Sequence, residues 1–429
     1  MDRRQLLLLL AAQAATLMGL QGQDFARLIP EAHFGRPAAP VLPETSPAAD
    51  IPRSDIHVAA DDSFFAGTDA DELRPYLWLR EFSPDAALGG RTPSGLWPQD
   101  MFTAYSIIPG GGAGVMVAII DAYDSPALEQ DLNTFSHAFG LPPCTMLNGC
   151  LTKVDQTGGA RFNRVVSGWQ METNLDVEWV HAIAPAAKIL LVEAHTASST
   201  NLMAAVQYAV AHAQVVSMSW GGRESVNQVQ FDATFMGVPG QNVAVFAAAG
   251  DVGGVVSYPA SSINVIGVGG TNLAVDPFSG ALAIPVVETA WSGSGGGCSR
   301  YEPALAAQAS IIFPTPCTMR ATPDVAAAGG PSSAASVFSS WASGWHAVYG
   351  TSLATPMWAG LAALADSARG APLSSGQLLL ALYAAPLLNY RDITSGQTNL
   401  FMAAPGYDFI TGLGSPQANS LIPYLAGVR

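Results

Sequence analysis

Four short runs in this chain are apolar at nearly every position: residues 115–120, 189–192, 215–218 and 243–248. A strand with one wet face alternates apolar and polar residues, so unbroken runs mean that both faces are covered. Segments of helical length, residues 125–139 and 201–213, lie between these runs. Strand and helix in alternation predict an α/β fold, a mostly parallel sheet with helices on both faces. Sites in such sheets lie beyond the carboxyl ends of the strands, which tells us where to look for chemistry. With 429 residues, 49% of them apolar, the chain can bury one large core or two modest ones. No internal repeat is visible.

The periodic part starts near Leu96-Trp97-Pro98, and what precedes it reads differently. Residues 1–22 have a basic start at Arg3-Arg4, a short apolar run at 6–10 and small residues after it, the pattern of an export signal. Residues 23–91 are rich in Pro, Ala and Asp and read as a short prosegment or leader, weakly ordered on its own. Four cysteines suit an oxidising compartment. Cys144 with Cys150, and Cys298 with Cys317, flank irregular stretches and read most simply as two local disulfides, with four buried thiols as the alternative. Lys and Arg total 18 against 33 Asp and Glu, a net charge of -15, which argues against nucleic acid or an anionic membrane as partner.

Gly350-Thr-Ser352-Leu-Ala-Thr-Pro356 opens another apolar run. Ser352 is expected at the mouth of a helix, beside free first-turn amides, and Pro356 is read as tolerated in that first turn. Such a serine is either an acyl-transfer nucleophile or an ordinary helix cap. Glu172 and Asp176 stand four apart in a stretch that stays helical until Pro185, so both carboxyls share one face and repel unless they share a proton or a cation. A solvated acidic face is the plain alternative, and Glu178 is taken as an example of it. Asp251 follows an apolar run inside a glycine turn, and Asp121 ends the first strand, each open to a catalytic or a turn-capping role.

Together these motifs resemble those of the sedolisins, the serine-carboxyl peptidases: Gly350-Thr-Ser352 with Pro356, Glu172-x-x-Leu-Asp176, Ser217-x-Ser-Trp-Gly221, Ala249-Gly-Asp251 and Pro323-Asp-Val325. The resemblance covers residues 92–429. It implies a subtilisin-like fold with Ser352 as nucleophile, Glu172 as its general base, Asp176 behind the Glu and Asp251 as the acid of the oxyanion site. It also implies one structural calcium ion held by the Asp392 and Asp408 carboxylates and the carbonyls of Ile393, Ala404 and Gly406. Two positions depart from the family. Asp121 stands where many members have Glu, and Ala404 where Gly is usual, so strain at Ala404 is expected if that backbone needs a positive φ. None of the seven histidines stands in the His-Gly-Thr helix start of a neutral subtilisin.

The expectation is therefore a secreted or periplasmic, acid-acting, calcium-binding serine endopeptidase. Its partners would be protein or peptide substrates, with no nucleic acid, no membrane after export and a monomeric state. The alternatives are a catalytically inactive exported peptide-binding protein of the same fold, a neutral subtilisin-like peptidase, or an esterase using Ser352 as a nucleophile elbow.

Overall fold

The computed structural model describes residues 72–80, 93–276, 278–311 and 316–428. The expected signal, residues 1–22, and the expected leader, residues 23–91, except for 72–80, lie outside the described residues.

The central sheet runs in the order Glu288–Ala290, Ile266–Leu273, Ala244–Ala248, Val215–Met218, Met116–Ala122, Lys188–Ala194 and Leu151–Asp155, with Val325–Ala328 also paired to Ile266–Leu273. All pairs are parallel except that of the Glu288–Ala290 edge. Successive residues of the middle strand serve opposite cores. Val117 and Ile119 pack on one side with Leu132, Phe135 and Trp179, while Ala118 and Ile120 pack on the other with Leu202 and Val206. That double burial is why the strand sequence carries no polar alternation. Among the described residues no helix is long and apolar enough to cross a membrane.

Three helices matter for the site. Ser199–His212 starts at Ser198, whose hydroxyl accepts from Asn201 N (3.3 Å). Ser167–Ile183 stops at Ala184, just before Pro185. Thr351–Arg369 is entered from Gly350 at φ 141 and left through Gly370 at φ 74. The last two touch closely. A Cβ on Gly360 would lie 2.7 Å from Ile183 Cβ, so its absence lets the helices approach and brings Glu172 toward Ser352.

Both disulfides form as expected, Cys144–Cys150 and Cys298–Cys317. His181 lies beside the first, but its sulfurs are bonded to each other and its Nε2 meets Pro142 O at 2.8 Å, so no thiolate metal site exists there. Two expectations fail. Glu178 is wholly buried, not solvated, because its helix is covered by the Ala335–Ser339 strand and Phe338 N donates to Glu178 Oε2 (3.0 Å). Pro356 lies inside the helix rather than in its first turn. Its missing N–H leaves the Ser352 carbonyl without the usual i+4 donor, and the Ser219 hydroxyl, whose one hydrogen is shared with Asp176 Oδ1 (2.6 Å), lies 3.3 Å from it.

Candidate active site

Ser352, Glu172, Asp176, Asp121 and Asp251 come from four places in the sequence and meet at the carboxyl end of the sheet. Ser352, Glu172, Asp176 and Asp121 have no exposed surface, and Asp251 has 8%. The Ser352 hydroxyl stands beside the Glu172 carboxyl, close enough to lower its proton affinity. Its own hydrogen points elsewhere, to Ser219 O at 3.0 Å, so both Glu172 oxygens are left without a hydrogen-bond partner. Burial, and then the neighbouring Asp176 and Asp121 charges, push the Glu172 carboxyl well above the usual range.

Asp176 lies one turn further along the same helix. The Ser219 hydroxyl donates to its Oδ1 at 2.6 Å, while Oδ2 has no partner. Burial and Asp121 raise it too. Asp121 has two unpartnered oxygens and is pushed up to about 8, mainly by burial. The three carboxyls thus form one group that cannot be fully ionised and holds protons in common.

Asp251 is tied to the start of the serine helix. Its Oδ1 accepts from Thr351 N and Thr351 Oγ1, both at 2.8 Å, and its Oδ2 accepts from Trp78 Nε1 at 2.8 Å. Burial outweighs those donors and pushes it up to about 8. Below that pH it carries a proton and can act as a donor.

No histidine among the described residues bonds to Ser352: His181, His212 and His346 meet the carbonyls of Pro142, Tyr208 and Ala342. The partners of Ser352 Oγ are Ser219 O and Tyr76 N (3.1 Å). Sequence reading missed Tyr76. It belongs to residues 72–80, placed in the leader because nothing in their composition marks them as structured, yet they lie across the site. Arg74–Pro75 pairs with Gly221 and Trp220, and Trp78–Leu79 pairs with Tyr349 and Val348.

Of the five expected calcium ligands, Asp392, Ala404, Gly406 and Asp408 are joined by hydrogen bonds. Asp408 Oδ2 accepts from Ala404 N (3.3 Å) and Asp392 Oδ2 from Gly406 N (3.0 Å), so two carboxyls flank the 404–406 turn. Carboxylates and carbonyls are the hard oxygen donors that calcium takes, and in kind they fit it. Strain at Ala404 is not found. The positive φ of that turn falls on Gly406, at 81°.

The model of the Subtilase family, Peptidase_S8, matches residues 164–385, a span that includes Glu172, Asp176, Asp251 and Ser352. Kumamolisin from Bacillus sp. (strain MN-32) is 30% identical over 388 residues, covering 80% of this chain and 66% of that protein. Sedolisin from Pseudomonas sp. (strain 101) is 28% identical over 395 residues, covering 82% and 65%. The chain thus spans slightly under two thirds of either relative. Among solved structures, Pseudomonas sedolisin, a serine-carboxyl proteinase complexed with two molecules of pseudo-iodotyrostatin, aligns with a TM-score of 0.66 at 27% identity, over 77% of this chain and 98% of that one. With more than half of its 429 residues matched by the family model, and with these relatives, the chain belongs to the subtilase family, in its sedolisin branch.

Proposed function

We propose that this chain is an endopeptidase that cuts peptide bonds in acid through an acyl-enzyme on Ser352. The observation that carries this is the buried Ser352 hydroxyl beside the Glu172 carboxyl, with no imidazole bonded to it. An imidazole base is mostly protonated below about pH 5, whereas Glu172, raised as it is, can take the Ser352 proton there as long as the three-acid group keeps one negative charge to share. Ser352 turns its hydrogen from Ser219 O to Glu172, and its oxygen attacks the substrate carbonyl carbon. Asp176, fixed by Ser219, and Asp121 share the protons of the group, so that Glu172 can accept one and return it to the leaving amine.

The negative oxygen formed on attack needs donors that are already in place. Ser352 N–H is one. Asp251 is the other, protonated below about 8 and oriented by Thr351. Acid pH is where one carboxyl of the site stays neutral while another accepts a proton. Water then hydrolyses the ester.

We read residues 1–22 as the export signal, residues 23–91 as a short leader and 92–429 as the peptidase domain, secreted or periplasmic and acting alone on protein or peptide substrates. The two disulfides support export. Asp392, Ile393, Ala404, Gly406 and Asp408 would hold one structural calcium ion. Hydrolysis of a denatured protein followed from pH 3 to 8, for the wild type beside Ser352→Ala, tests the reading. Activity confined to the acid side and abolished by the substitution is expected; equal activity in the two proteins would sink it.

A further inference from the structure

Residues 72–80 occupy the cleft, and their contacts show what its far side is shaped to take. They enter as an added strand, with Arg74 and Pro75 antiparallel to Gly221 and Trp220, the way extended peptides are bound by main-chain pairing. Tyr76 N donates to Ser219 O (3.2 Å), and Tyr76 O accepts from Ser352 N (3.2 Å). A Cβ on Gly350 would lie 2.0 Å from that same Tyr76 oxygen and 2.8 Å from Asp251 Oδ2, so the carbonyl and the acid share one small space. Tyr76 thus stands where a substrate would present the carbonyl to be attacked, and Trp78 stands where the second residue after the cut would lie.

Trp78 is held there by its backbone, by its ring face and by its indole nitrogen. Trp78 and Leu79 pair antiparallel with Tyr349 and Val348, which sets Trp78 directly across from Tyr349. Their rings stack with centroids 6.1 Å apart and planes 15° from parallel. Tyr349 is backed in turn by the buried Trp291, whose ring meets it edge-on at 6.0 Å. An aromatic pair at such distances adds about two- to twelvefold to an equilibrium beyond the area it buries. The indole Nε1 donates to Asp251 Oδ2 at 2.8 Å, and this is the oxygen that borders the Tyr76 carbonyl. Because Asp251 Oδ1 accepts from Thr351 N and Thr351 Oγ1, the proton of the neutral acid belongs on Oδ2. A hydroxyl oxygen at that place can donate its proton to the oxyanion while its lone pair accepts from the indole, and hydrogen bonds in such a chain strengthen one another.

We infer that the cleft prefers an aromatic side chain, tryptophan above the others, on the second residue after the cut, and that Tyr349 determines this preference. This rests on the peptidase function proposed above. A substrate in the place of residues 72–80 pairs with the Gly344–Tyr349 strand as Trp78 and Leu79 do, which brings its second residue against the Tyr349 ring. Tryptophan there stacks and donates to Asp251. Phenylalanine stacks without donating, and alanine does neither.

Three otherwise identical peptides, with Trp, Phe or Ala on the second residue after a shared cut, test this with the full chain at pH 4, the cut being located by mass spectrometry. The expected order of kcat/KM is Trp, then Phe, then Ala, with Trp at least about tenfold above Ala. Tyr349→Ala should bring the Trp to Ala ratio down to within about threefold, whereas Tyr349→Phe, which keeps a ring to stack on, should retain most of it. Each ratio is taken within one preparation, so a loss of folded protein cancels. A wild type that cuts the three peptides equally well, or a Tyr349→Ala chain that keeps the whole preference, overturns the inference and leaves the peptidase function standing. A folded wild type that cuts neither these peptides nor denatured protein removes both.

Discussion

Glu172 and Asp324 are carboxyls without exposed surface, and they are treated in opposite ways. Asp324 is saturated with donors. Arg320 reaches it twice (2.8 and 2.5 Å), Gly267 N donates at 2.8 Å and Tyr383 OH at 2.7 Å. Glu172 has a serine hydroxyl turned away from it and two further acids beside it. Burial with a guanidinium and several donors makes a fixed joint; burial among acids makes a group that must hold protons, and can therefore exchange them. The chain spends the first arrangement on architecture and the second on the site.

Neutralising each side should break the molecule differently. Glu172→Gln is expected to lower kcat/KM at pH 4 by about 10⁴-fold, the scale of losing a triad's acid or base function, with unfolding free energy nearly unchanged. A Glu172→Gln enzyme at full rate would remove Glu172 as the base. Asp324→Ala should do the reverse: it strands Arg320 and costs about 3–5 kcal/mol in denaturant unfolding, while the molecules still folded keep their turnover. Asp251→Ala, which removes the proposed oxyanion donor, should slow turnover by about 10² to 10³-fold with little change in KM.

The smallest effect is also the most general. Asp121 and Asp251 are pushed up to about 8 in the folded chain, against an ordinary value of 3.8. The folded state thus holds their protons more tightly than the unfolded state does. The resulting stability is fully present below the ordinary carboxyl range and is lost as pH rises through about 8. The melting temperature should fall from pH 4 to pH 8, and the fall should shrink in Asp251→Asn. A melting temperature that is flat or rising over that interval would mean that these acids are ionised in the folded protein.

Much of the site was legible because its signals are local. Ser352 before an apolar run, Asp251 after one and the four-residue spacing of Glu172 and Asp176 each mark a place on an element, and unbroken apolar runs put those elements in a covered parallel sheet. Glu178 was not legible. It shares a helix with Glu172, and only the strand lying over it shows that it is buried as a structural acceptor. Pro356 misled for the same reason, since the Ser219 hydroxyl that lies beside the carbonyl it frees is 133 residues away from Ser352.

By itself the sequence determined the layered α/β fold and which cysteines lie near enough in the chain to bridge, because periodicity and short spacing are carried by neighbouring residues; the acids that would serve Ser352 were named by the resemblance to the sedolisins. Only the tertiary structure decided which of those acids lack donors and which have them, and that Tyr76 sits against Ser352. Proton affinity and strand pairing depend on what packs around a group from distant parts of the chain, and no stretch of sequence contains that.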